Sequence, residues 1–299
     1  MRILLLGANG QLGLELRETL APLGELIPLD RHGARGLGGD LGDAAGIAST
    51  LRELRPDLIV NAAAHTAVDR AESEPDLAHA VNAVAPGVLA EGAARLGSWL
   101  VHYSTDYVFD GAGSAPWRET DIPNPLNTYG RSKLAGERAI EASGCRHLIL
   151  RTSWVYARHG HNFVKTVLRL AAERETLRII DDQIGTPTSA RLIAEVTALA
   201  IEKAQANPDL GGLYHLVAGG ETSWYHYARR IIDEARARGM ALAVNTLEPV
   251  TSRDYPTAAT RPLNSRLDTG KLRQRFGVDL PPWHEGVAQL IDELTGRTP

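Results

Sequence analysis

The 299-residue chain holds one cysteine, Cys145, and only four lysines (133, 165, 203 and 271) among its 32 basic residues, leaving 28 arginines. A lone cysteine excludes an internal disulfide and fits a reducing compartment. No run of 18 apolar residues occurs, and Met1-Arg2-Ile3 leads straight into a strand-like run without a basic segment and apolar core. Neither a membrane span nor a secretory signal is expected, so the reading is a soluble, cytoplasmic protein with no membrane partner. Basic residues form no block and the net charge is −4, which argues against nucleic acid as a partner. Apolar residues at 43% and charged residues at 23% are ordinary globular values. The length suits one large α/β domain or two lobes.

The scarcity of lysine gives weight to Tyr129-Gly-Arg-Ser-Lys133. With eight tyrosines and four lysines, the expected number of accidental Tyr-x-x-x-Lys pairs is 8 × 4/299, or ~0.1. Four residues apart on a helix, the two side chains share a face. A cation within ~4 Å of a phenol at an effective dielectric of ~20 is worth about 4 kcal/mol, roughly three pKa units. Tyr129 is therefore expected to be lowered from its ordinary range and to act as a general acid, with Lys133 as its modulator.

Short apolar runs alternate with helical stretches through the first half. Ile3–Leu6, Leu26–Leu29, Leu58–Val60, Trp99–His102 and His147–Leu150 read as buried strands. Helices are expected from the glycine turn to about Leu23, over Ala44–Leu54, over 74–96 and over Tyr129–Ala142. This alternation predicts a Rossmann-type, doubly wound parallel α/β sheet over residues 1–150. A smaller substrate lobe, interleaved with the sheet, is expected over 151–299, where the alternation loosens; segments 222–238 and 284–295 read as amphipathic helices.

Gly7, Gly10 and Gly13 follow the first strand directly, as a dinucleotide turn requires: a tight bend, close approach to pyrophosphate, and helix–strand packing. Asp30 ends the second strand, where an acid accepts bonds from an adenosine ribose and points to NADH. Arg31 beside it suits a 2′-phosphate, so NADPH stays equally open. Asp40-Leu41 suits contacts to adenine. The run Asn61-Ala62-Ala63-Ala64-His65 lets a cofactor lie on bare backbone. A lone His65 without partners at metal spacing is not a metal site.

The variant Gly-x-x-Gly-x-x-Gly, Asn-Ala-Ala-Ala at 61–64, Tyr-Ser-Thr-Asp-Tyr-Val-Phe-Asp-Gly at 103–111 and Tyr-x-x-x-Lys together resemble the extended short-chain dehydrogenase/reductase family, and within it the dTDP-sugar ketoreductases. The likeness continues through Gly-Gln-Leu-Gly (10–13), the run 61–69, Pro-Leu-Asn-x-Tyr-Gly (125–130), Arg-Thr-Ser-Trp-Val-Tyr (151–156), the run 212–220 and Arg-Pro-x-Asn-Ser-Arg-Leu (261–267). It implies NAD(P)H-dependent reduction of the 4-keto group of dTDP-4-dehydro-β-L-rhamnose to dTDP-L-rhamnose, the last step of a bacterial cell-surface sugar pathway. It also makes Tyr129 the acid, Lys133 its modulator and Thr105 a donor to the carbonyl. Related dehydratases carry an acid–base pair after the equivalent Thr; here Asp106-Tyr107 follows, and Tyr107 is no carboxylate base, which favours reduction. A nucleotide-sugar epimerase, or a non-catalytic dinucleotide-binding regulatory subunit of the same fold, are the alternatives.

The expected dinucleotide contacts are Gly7, Gly10, Gln11, Leu12, Gly13, Asp30, Arg31, Asp40, Leu41, Ala63, Ala64, His65, Thr66, Tyr103, Tyr129 and Lys133. The expected substrate contacts are Thr105, Asp106, Trp154, Asn162, Phe163, Gln183, Arg261 and Asn264. Trp154 is expected on the sugar, and Arg261 and Asn264 on diphosphate or thymine. Within 182–188, which resembles the family's substrate-side turn, Thr188 is expected to cap the helix from Ala190. Some members of the family hold magnesium between subunits with three glutamates. Here Glu15 and Glu293 fit the outer positions and Arg191 takes the middle one, so magnesium is doubtful and any homodimer is expected to be metal-free, with Arg191 bridging the acids.

Overall fold

A computed structural model describes residues 1–34 and 36–296. Six parallel strands form the central sheet: β1 (Arg2–Leu6), β2 (Glu25–Leu29), β3 (Leu58–Asn61), β4 (Trp99–Thr105), β5 (Arg146–Thr152) and β6 (Gly212–His215), in the order β6-β5-β4-β3-β1-β2. The apolar runs are continuous because both faces are covered. Ile3 and Leu5 enter one core layer while Leu4 and Leu6 enter the other, as a period of two demands. Pro28 is tolerated because β2 is an edge strand.

Helices α1 (Gln11–Leu20) and α6 (Ala190–Ala206) cover one face; α2 (Ala44–Leu54), α3 (Ala85–Leu96) and α4 (Thr128–Ala142) cover the other. A further core joins α5 (Phe163–Glu173), α7 (Trp224–Ala237) and α8 (Trp283–Leu294) through Val167, Tyr227, Ile231 and Val287. The chain beyond residue 150 therefore serves two cores, since α6 and β6 return to the sheet. Of the span 151–299, residues 297–299 lie outside the described ones.

Two expectations need correction. The stretch 74–96 is not one regular helix: Pro75–His79 runs into a π-helical turn, Ala80–Val84, before α3. The π turn rotates Asn82 inward, where its Nδ2 donates to the His65 carbonyl and to Ser132 Oγ. Ser189, not Thr188, caps α6 by accepting the Leu192 N–H; Thr188 instead donates to the Thr186 carbonyl from a short strand. The helix starts one residue later than a Thr188 cap requires.

Candidate active site

From β1 the chain steps outward to β2, then crosses back to β3 on the far side of β1. The loops after β1 and β3 therefore diverge, and the crevice between them is where open α/β sheets take ligands. A cleft of about 860 Å³ opens there, lined by the ends of β1 to β5 and by α4. Gly7 adopts φ +77°, and a Cβ on it would stand 2.6 Å from Ala63 N; a Cβ on Gly13 would stand 2.0 Å from Gly7 O. Only glycine permits these two approaches. Gly10 caps α1 without a side-chain bond, which leaves the first-turn N–H groups to the cleft. Asp30 accepts from Asn9 Nδ2 at 2.7 Å and from His32 N at 2.8 Å, while Arg31 pairs with Asp40 at 3.1 Å. The Gly42 N–H and Arg31 hold the Asp40 carboxyl below its usual range.

Of the expected dinucleotide contacts, all except Gly13 line this cleft, and Gly13 lies beneath it against Gly7. Thr105, Asp106 and Trp154 join them there. Thr105, at the end of β4, donates to Asp106 Oδ1 at 3.1 Å and accepts the Tyr107 N–H at 3.2 Å. Burial pushes the Asp106 carboxyl up to about 6 despite hydrogen bonds from Ser265 and Thr105. Asn127 caps α4 through the Gly130 N–H, which fixes the first turn carrying Tyr129. Tyr107 meets the Tyr129 ring edge-on, with centroids 5.6 Å apart.

The expected lowering of Tyr129 is not found. Burial raises its phenol to about 12, offset by a hydrogen bond with Thr105 and reinforced by Asp106. Lys133, also buried, is pushed down to about 8 by desolvation, which the Glu137 charge opposes. Its Nζ donates to the Tyr103 carbonyl at 2.6 Å and lies 3.2 Å from His102 Nε2. Helical spacing put both residues on one face, but the long lysine stem ends at β4. One turn on, Glu137 holds Arg151 of β5 through two bonds of 2.9 and 2.6 Å, anchoring α4 to the sheet.

The remaining expected substrate residues stand outside the cleft lining. Asn162 caps α5 and donates to Gln11 Oε1 at 3.1 Å; Phe163 packs on Trp224. Gln183 donates to Ser252 Oγ and accepts from Trp224 Nε1. Asn264 donates to the Ala115 carbonyl, and Arg261 forks onto Asp69 at 2.6 and 3.2 Å. Trp154 takes a left-handed φ of +48° and stacks on Trp224 at 3.6 Å, a strained backbone held at the cleft wall. Trp224, Asn9 and His32 line the cleft without having been expected; nothing in their local sequence marks Trp224 and His32, whereas Asn9 lies within the glycine turn itself.

The residues at the family's magnesium position do not fit a hard cation. Arg191 stands 3.9 Å from Glu293 and 2.9 Å from Glu195, and burial, with Glu18 and Glu293, raises the Glu15 carboxyl.

A family model described as the RmlD substrate binding domain matches residues 1–296. A dTDP-4-dehydrorhamnose reductase of Salmonella typhimurium is 54% identical over 298 residues, covering 100% of this chain and 99% of that protein. The crystal structure of a dTDP-4-dehydrorhamnose reductase from Clostridium acetobutylicum superposes with a TM-score of 0.90 at 36% identity, covering 98% of this chain and 99% of the other. One from Bacillus anthracis, in complex with NADP, gives a TM-score of 0.86 at 36% identity, again covering 98% and 99%.

Proposed function

The chain belongs to the RmlD substrate binding domain family, and we propose that it reduces the 4-keto group of dTDP-4-dehydro-β-L-rhamnose to dTDP-L-rhamnose with a reduced nicotinamide dinucleotide. Residues 1–150 hold the dinucleotide in this reading, and the lobe within 151–299 closes on the sugar nucleotide. The observation that carries it is the convergence of Thr105, Tyr129 and Lys133 on one cleft whose floor is a glycine turn without room for a Cβ. That turn, the uncapped start of α1 and Asp30 fit pyrophosphate and ribose. When bound, the dinucleotide supplies the hydride for the carbonyl carbon.

The protein's own part is to place and stabilise charge. Thr105, its proton turned from Asp106 to the substrate, and Tyr129 both present hydroxyls at the end of β4, where they polarise one carbonyl oxygen. With its phenol near 12, Tyr129 stays protonated at neutral pH and hands its proton to the developing alkoxide. The Lys133 charge then offsets the phenolate left behind. Trp154, backed by Trp224, forms the apolar wall against which the sugar ring rests.

The test is consumption of NADPH with dTDP-4-dehydrorhamnose and identification of dTDP-L-rhamnose by mass spectrometry. Tyr129→Phe is expected to lose about 10²–10⁴-fold in kcat. Equal turnover by wild type and variant would remove Tyr129 as the acid. No turnover by wild type would favour a non-catalytic binding subunit.

A further inference from the structure

His102 has no part in the chemistry above, yet its ring is buried in the middle of β4 beside the catalytic lysine. Its Nδ1 lies 3.1 Å from Asn61 Nδ2 on β3, and its Nε2 lies 3.2 Å from Lys133 Nζ on α4. These partners assign the ring proton. Asn61 Oδ1 accepts the Ala63 backbone N–H at 3.2 Å, so the amide turns its N–H toward His102 and Nδ1 is the acceptor. A neutral imidazole accepting at Nδ1 carries its proton on Nε2. That N–H faces Lys133 Nζ and is satisfied only by the lone pair of an uncharged amine.

The surroundings support the same state. Burial alone, the larger cause, holds His102 well below its ordinary value, so the ring stays neutral. Burial also pushes Lys133 toward the neutral amine. Glu137, one turn along α4, pulls the other way, but both its oxygens are engaged by Arg151 from β5. Beside His102 in the sheet, β3 brings the Asn61 amide and β5 brings Ile149. The π turn contributes Asn82, whose amide is spent on His65 and Ser132.

We propose that His102 is a positioning residue that holds the uncharged form of Lys133 against β4 in the free protein, so that, above the titration of that amine, binding a nicotinamide dinucleotide proceeds with uptake of a proton by it. The inference rests on the reductase reading above. An ammonium cannot stay against an N–H donor, so charging Lys133 and releasing it from His102 are one event. The proton comes from solvent and remains on Nζ, while Nε2 keeps its own. Asn61 links this event to the cleft, because its oxygen holds the N–H of Ala63, a residue of the cleft wall.

The experiment is a fluorescence titration of NADH into the protein from about pH 7 to about pH 10; NADH serves as probe because it has no 2′-phosphate to titrate. Proton uptake raises its Kd by up to about tenfold per pH unit above the titration of the free amine. His102→Asn keeps the Asn61 contact but falls short of Nζ, so the rise starts about half to one pH unit higher, the effect of one lost hydrogen bond. His102→Gln carries an amide N–H to the Nε2 position and follows the wild type. Histidine ¹⁵N spectra of the free wild-type protein show His102 bare at Nδ1 and protonated at Nε2. A Kd independent of pH, identical Asn and Gln variants, or a protonated Nδ1 overturns the proposal. Should the variants fail to fold, the wild-type titration and ring spectra still decide it. Failure of both NADH and NADPH to bind at every pH would instead sink the reductase reading, whereas the tautomer reports on His102 alone.

Discussion

On the proposed dinucleotide side the expected contacts sit at strand ends and in adjacent turns: Gly7, Gly10 and Gly13 after β1, Asp30 after β2 and Ala63 to Thr66 after β3. The residues expected on the sugar nucleotide that stand outside that cleft are held by partners far away in the chain. Gln183 bonds Ser252, Asn264 bonds Ala115 and Arg261 pairs with Asp69, separations of 69, 149 and 192 residues. In the first region, position follows from local backbone geometry, so a short motif names both place and role. In the second, long-range pairing decides whether a side chain reaches the ligand, and a motif names neither.

The contrast extends to electrostatics. Glu137–Arg151, in the sheet half, is almost wholly buried, whereas Arg261–Asp69, at the seam with the carboxy-terminal segment, leaves Asp69 about half exposed. Glu137→Ala strands a buried guanidinium and is expected to cost about 3–5 kcal/mol in denaturant unfolding. Asp69→Ala breaks a pair open to water and is expected to cost no more than about 1 kcal/mol. Equal costs would erase the distinction between the halves. An effect on binding rather than on folding sharpens it: Trp154→Ala is expected to raise KM for the sugar nucleotide about 5–30-fold, a loss of about 1–2 kcal/mol of apolar contact, with the Kd for NADPH unchanged. A matching loss of dinucleotide affinity would place Trp154 on the wrong side of the comparison.

The sheet, its parallel sense and the glycine turn were legible because buried parallel strands leave unbroken apolar runs, and the turn must follow the first of them. The π turn was not legible, since one extra residue in a helical stretch hardly disturbs a 3.6-residue pattern, and Asn82 went unread with it. His102 was hidden for a related reason: inside a buried strand it reads as core. Tyr129 and Lys133 were found by spacing, but spacing fixes only where side chains start. The strand carbonyl of Tyr103 and the ring of His102 decide where the lysine ends, and burial, acting on both groups, moves the phenol up and the amine down.

The central claim is that Thr105 and Tyr129 act on one carbonyl oxygen, and a double-mutant cycle on kcat with Thr105→Val and Tyr129→Phe tests it most directly. Two groups polarising the same oxygen give a double variant whose loss is well short of the product of the single losses. Losses that multiply in full would mean that the two hydroxyls work on separate events, and the account of the site would be wrong.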